Sequence, residues 1–148
     1  MCSTARPARA TSARWPRSLD ALGGAGLVVT GHAADPYDPK SVRASTGSLL
    51  AVDVVRVPSH REVLAWAAGS GVGFAVLGFD EAGDADLRSA DLRGPTIVVI
   101  GKETRGMTAA WRDSCDQLVR IPMRGRASSL NAATAGSIVL YEAMLQRG

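Results

Sequence analysis

At 148 residues, 46% hydrophobic and 21% charged, the chain has the size and composition of one globular domain with a sizeable core. Its formal charge of +3 and pI of about 9.3 permit an anionic partner without requiring one. Cys2 and Cys115 make no disulfide framework, His32 and His60 give no metal-ligand spacing, and no apolar run approaches the ~18 residues of a membrane span, so the expectation is a protein of the reducing cytoplasm with neither metal nor membrane.

Residues 1–16 carry arginine, serine and alanine without an acid, and no apolar run like that of a secretory signal. This composition fits a transit peptide or a basic arm, but a disordered basic tail is the plainer expectation. The domain proper is expected over 17–148. Arg17 to Gly23 reads as a short helix closed by glycine, and Ala25–Thr30 as a buried strand. A polar loop from His32 to Pro39 leads to a short helix over Ser41–Ser45, stopped near Gly47. Val52–Val57 is the next strand. Ser59 is placed to cap a helix reaching Ala68, with Glu62 completing a capping box and Val63, Leu64, Trp66 and Ala67 on its buried side.

Phe74–Phe79 is a buried strand and 80–94 an acidic, small-residue loop. Thr96–Ile100 is a strand, Thr108–Ser114 a helix that includes Cys115's apolar surroundings, and Leu118–Ile121 the last strand. Trp66 and Trp111 both fall among aliphatics at helical spacing and read as packing residues. Ile121-Pro122 ends the last strand, because proline cannot donate to a ladder. Ser128, Ser129 and Asn131 are helix-starting types, and Ala132 to Met144 reads as helix, with Gly136 and Ser137 small enough for close approach. Apolar strands alternating with helices imply a parallel sheet covered by helices on both faces.

Two stretches carry chemistry. Ile97-Val98-Val99-Ile100-Gly101-Lys102-Glu103-Thr104-Arg105-Gly106-Met107 is a buried-type strand opening into a Gly-x-Glu-x-x-Gly loop. Ile121-Pro122-Met123-Arg124-Gly125-Arg126-Ala127-Ser128-Ser129-Leu130-Asn131 joins a strand end, a glycine and hydrogen-bonding side chains to the start of a helix. Together they resemble the second and third motifs of the SpoU (TrmH) family of SPOUT-class RNA methyltransferases, a likeness running from about Arg17 to the C-terminus. A strand–loop–capped helix is common in any α/β protein; the paired motifs decide between the readings.

The resemblance implies an α/β trefoil knot at the C-terminal end, a homodimer, S-adenosylmethionine as methyl donor, and ribose 2′-O-methylation of ribosomal or transfer RNA. It implies donor contacts from Gly101, Ile121 and Leu130, with Ile100 and Met123 beside them; the alternative for Ile121 and Leu130 is a plain core role. Arg17, Glu103, Ser129 and Asn131 take the family's catalytic positions. Arginine is a poor base, so substrate phosphate is the more comfortable partner for Arg17. Lys102 stands where relatives often have asparagine, and Ser129 has a competing reading as the helix cap. Arg43, Arg105, Arg124 and Arg126 flank the motifs and are expected to form a phosphate-binding rim.

The family's first motif, Asn-x-Gly-x-x-x-Arg, is matched by Arg17 but has Thr11 and Ala13 in place of its asparagine and glycine. Read one base out of frame with suitable synonymous codons, residues 8–16 can spell Pro-Gly-Asn-Leu-Gly-Thr-Met-Ala. The expectation is therefore that residues 1–16 are a frameshift product and that the natural protein extends further N-terminally; the nucleotide sequence tests this. A non-catalytic remnant that dimerises and binds cofactor or RNA is the competing function. Gly69-Ser-Gly-Val-Gly73 leads into a strand and so is no dinucleotide fingerprint.

Overall fold

The computed structural model describes residues 2–4, 15–31, 37–45, 47–101, 106–126 and 129–148. In chain order these form β1 (Cys2–Thr4), α1 (Trp15–Ala21), β2 (Gly26–Thr30), α2 (Pro39–Ala44), β3 (Asp53–Val57), α3 (His60–Gly69), β4 (Ala75–Phe79), β5 (Ala85–Asp86), β6 (Thr96–Ile100), α4 (Ala109–Arg112), β7 (Gln117–Arg120) and α5 (Ala132–Arg147), with single 3₁₀ turns at Ser48–Leu50 and Leu87–Ser89. The strands make one sheet in the order β3-β2-β1-β6-β4-β7-β5, parallel at every pairing.

The apolar strand runs are continuous because both faces of the sheet are covered. In β6, Ile97 and Val99 point into a core shared with Val63 and Ala67 of α3 and Trp111 of α4. Val98 and Ile100 point the other way, into a larger core with Trp15 and Leu19 of α1 and Val139, Leu140 and Ala143 of α5. A strand alternating faces must be apolar at every position when helices lie on both sides. The small residues of α5 serve the contact with α1: Gly136 is buried, and the hydroxyls of Ser18 and Ser137 lie 2.7 Å apart. At its far end α5 grips the chain before β6, with Leu92 N–H donating to Gln146 Oε1 (2.9 Å) and Arg147 Nε donating to Leu92 O (2.8 Å).

Several expectations need correction. Residues 1–16 do not all lie outside the fold: Cys2–Thr4 is a strand between β2 and β6, and Trp15 and Pro16 are buried in α1. Three residues are too few to show a period, and the neighbours on both sides supply their ladder. Residues 5–14, including Thr11 and Ala13, lie outside the described residues. β3 is an edge strand, with Val55 53% exposed. No side-chain cap hydrogen bond forms at Ser59 and Glu62 is exposed, so the capping box is absent. Trp66 is 57% exposed, its ring 5.2 Å from that of Phe74 and tilted against it, whereas Trp111 is 2% exposed. The acidic stretch after β4 contains β5 and a 3₁₀ turn.

Cys115 follows α4 rather than sitting within a helix, and is half-buried, its thiol donating to Trp111 O at 3.0 Å. Burial, aided by the charge of Asp116, pushes the thiol up from 9.0 to about 11. A folded-state value above the unfolded one means stability is fully present below pH 9 and is lost as pH rises toward about 11. At pH 8 alkylation of Cys115 should be much slower in the native chain than in urea, read by mass mapping of its peptide; equal rates would contradict the burial.

Candidate active site

Three adjacent strands, β6, β4 and β7, release the chain at one edge of the sheet, and the segments that follow them enclose a cleft of about 420 Å³. Its lining is Phe79, Asp80 and Glu81 after β4; Ile100, Gly101 and Gly106 after β6, with Arg112 of α4; and Ile121, Met123, Ser129, Leu130, Ala132 and Ala135 after β7. Parallel α/β sheets place ligands at the C-terminal ends of strands, and the volume is in the range of small-molecule sites.

The Gly-x-Glu-x-x-Gly pattern now has a physical reason at both ends. A Cβ on Gly101 would fall on the backbone of Gly106 and Met107, so the chain leaving β6 doubles back against itself. Gly106 makes that return with φ of +63°, a left-handed conformation that strains other residues. Beyond β7, Ile121 and Met123 line the cleft, as do Ala132 and Ala135 in the first turn of α5. Asn131 caps that helix: its Oδ1 accepts from Thr134 N–H at 2.8 Å.

The cleft unites five residues expected at the donor site, Ile100, Gly101, Ile121, Met123 and Leu130, together with Ser129. Ile121 and Leu130 are half-buried cleft residues, with Ile121 also packed on the larger core. The cap role considered for Ser129 belongs to Asn131, which does not line the cleft. Arg17 is exposed on α1 and also lies outside the lining, because Trp15 and Leu19 occupy the buried side of that short helix. Arg43, Arg124 and Arg126 are exposed, the last two directly after Met123. Glu103, Lys102 and Arg105 lie outside the described residues.

Sequence reasoning missed Phe79, Asp80, Glu81 and Arg112. Asp80 Oδ2 accepts from Arg112 Nη2 at 2.7 Å, with side-chain exposures of 7% and 39% for the acid and base. The available signal was position: Asp80 and Glu81 are the first charged residues beyond a buried parallel strand. Among the described residues no cluster of histidine, cysteine or acid could hold a metal, and no helix is long and apolar enough to cross a membrane.

The residues present fit S-adenosylmethionine. Ile100, Ile121, Leu130 and Ala132 offer apolar walls for a heterocycle, Gly101 exposes main chain for close approach, and Ser129 and Glu81 give polar groups for the ribose and amino-acid ends.

Comparison with known proteins agrees with this geometry. The model of the SpoU rRNA Methylase family matches residues 15–141. The 23S rRNA (uridine(2479)-2′-O)-methyltransferase of Streptomyces viridochromogenes is 54% identical over 134 residues, which are 88% of this chain and 47% of that protein. The crystal structure of the SpoU methyltransferase AviRb from Streptomyces viridochromogenes in complex with AdoMet matches with a TM-score of 0.93 and 49% identity, over 99% of this chain and 59% of that one. AdoMet-bound rRNA methyltransferase from Sinorhizobium meliloti matches with a TM-score of 0.87 and 30% identity, over 96% and 54%. The chain thus spans about half the length of the relatives it matches. Its parallel sheet with helices on both faces is the α/β trefoil-knot, SPOUT-type fold of these neighbours. With both motifs folded into one cleft and the family's model spanning residues 15–141, the chain belongs to the SpoU rRNA methylase family.

Proposed function

We propose that this chain is the catalytic domain of an S-adenosylmethionine-dependent RNA 2′-O-ribose methyltransferase acting in the cytoplasm on ribosomal or transfer RNA, with ribosomal RNA favoured by its relatives' names. The observation that carries the reading is the cleft, which draws Gly101, Ile121, Ser129 and Leu130 together from two distant stretches.

When bound, S-adenosylmethionine supplies an electrophilic methyl group for in-line transfer. The chain's task is to exclude water, fix the angle of approach and handle the hydroxyl's proton and the nearby phosphate. Ile100, Ile121 and Leu130 would exclude water around the adenine, and Ser129 sits exposed at the rim where an incoming ribose would pass. Arg17, being permanently charged, serves as a phosphate contact; Arg43, Arg124 and Arg126 would add affinity along the RNA backbone. Glu103 and Arg105 keep the loop-ordering and RNA roles that the resemblance gives them.

A homodimer is supported by Tyr141, Met144 and Leu145, which share one side of α5 and stay 51%, 38% and 56% exposed. A partner placed on that surface would also explain how Arg17, outside the cleft of its own chain, reaches a reaction centre. The non-catalytic remnant draws support from the same position of Arg17.

Methyl transfer from labelled S-adenosylmethionine to bacterial RNA, followed by nucleoside analysis, separates the readings: a 2′-O-methylated nucleoside supports the enzyme, and donor uptake without transfer supports the remnant. Arg17→Ala is expected to abolish transfer while leaving the fold. Asn131 needs two variants. Asn131→Ala loses the cap of α5, at a cost of about 1 kcal/mol, so its inactivity alone would be ambiguous. Asn131→Asp keeps an oxygen for Thr134 N–H but removes the amide donor, and should melt like the parent while losing transfer. Full transfer by Asn131→Asp would remove Asn131 from the active site.

A further inference from the structure

Among the described residues, the Asp80–Arg112 pair is the one ion pair at the cleft, and no motif announces it. Asp80 leaves β4 with its main chain anchored, its N–H donating to Val119 O at 3.0 Å. Its Oδ1 accepts from Ala82 N–H at 3.1 Å, and its carbonyl accepts from Gly83 N–H at 3.1 Å. Gly83 lies so close to β7 that a Cβ there would stand 2.6 Å from the Val119 carbonyl carbon. The turn Asp80–Gly83 is therefore held against β7 by backbone contacts and closed on itself by the aspartate.

The second oxygen of Asp80 reaches across the cleft wall to Arg112, the last residue of α4. That helix starts at the Thr108 cap and is seated by Trp111, 2% exposed. The position of a Cβ on Gly106 would lie 3.8 Å from Asp80 Oδ2 and 4.0 Å from Arg112 Nη2, so the pair packs beside the Gly106 main chain that folds over Gly101. One ion pair thus links the exit of β4, the glycine return after β6, and α4. A carboxylate this buried is desolvated, and Arg112 is its matching charge; without it the oxygen would turn toward water and release both neighbours.

We propose that Asp80 and Arg112 are positioning residues for the methyl-donor pocket: their ion pair sets the separation between the Asp80–Gly83 turn and the Gly106 main chain that admits the donor. This rests on the donor reading given above. Neither residue is asked to react, and the pair acts through the backbone it holds.

The test is calorimetric affinity for S-adenosylmethionine, with thermal melting and donor KM and kcat on RNA, for Asp80→Asn, Arg112→Met, Arg112→Lys and the double variant Asp80→Asn/Arg112→Met. Each single neutral variant should weaken the donor about tenfold, with the larger share of the kinetic effect in donor KM, and the double variant should be no worse than either single one. Arg112→Lys keeps the charge without the planar fork and should recover part of the affinity. Donor affinity unchanged within about twofold in Arg112→Met, or losses that simply add in the double variant, would overturn the proposal. A lowered melting temperature with intact affinity would reduce the pair to a structural role and overturn it as well. Failure of the parent chain to bind the donor would instead overturn the donor reading on which it rests.

Discussion

Gly101→Ala should leave no measurable uptake of S-adenosylmethionine and should destabilise the fold by about 1–3 kcal/mol, the usual cost of forcing an atom into packed space. The new methyl would collide with the carbonyl carbon of Gly106 and the amide nitrogen of Met107. These are backbone atoms, so no side-chain rotation relieves the overlap, and the return of the chain over the cleft must open. The same substitution at Gly69, the last residue of α3 with nothing within 4 Å of a new Cβ, is the control. It should be neutral or stabilise by about 0.5–1 kcal/mol, through reduced freedom of the unfolded chain. Urea unfolding and calorimetry read both effects. Donor binding by Gly101→Ala at parental affinity would show that the turn after β6 does not shape the pocket.

Trp111→Ala is expected to cost about 3–5 kcal/mol, a large part of the ~5–15 kcal/mol that a domain possesses. The indole is 2% exposed and packs in the smaller core with Val63, Ala67, Val76, Ile97, Val99 and Met107. The His60 ring also lies 5.6 Å away. Removing it leaves a cavity that α3 and α4 cannot both close, and takes away the seat of Arg112. Trp66→Ala should cost about 1 kcal/mol or less, since that ring is 57% exposed and meets mainly Phe74. Shifts in urea midpoint at constant slope distinguish the two. Equal losses would mean that the smaller core is not centred on Trp111.

The two tryptophans also mark the limit of helical spacing as evidence. Both stand among aliphatic residues, and a run such as Val63-Leu64-Ala65-Trp66-Ala67 offers more apolar positions than one helix face can bury. Val63 and Ala67 take the buried side of α3, and Trp66 is left outside. By contrast β3, Asp53-Val54-Val55-Arg56-Val57, carries two charges where β6 carries none, and with a neighbour on one side only it exposes Val55. The order of chain crossings makes β3 the edge, and Asp53 and Arg56 are the local trace of that position.

The chain's own letters determined the alternation of strands and helices and the two-sided burial of β4 and β6, and they carried the motif residues Gly101, Ile121 and Leu130 that line the cleft. They did so because turn chemistry, proline's missing donor and apolar runs are local constraints that each residue carries with it. Only the tertiary structure decided that Cys2–Thr4 becomes a strand between β2 and β6, that Asn131 rather than Ser129 caps α5, and that Asp80 meets Arg112 beside Gly106. A three-residue strand has no period of its own, and a capping choice turns on the last few degrees of backbone. An ion pair between residues of separate segments exists only once the parallel sheet has brought their strand ends together.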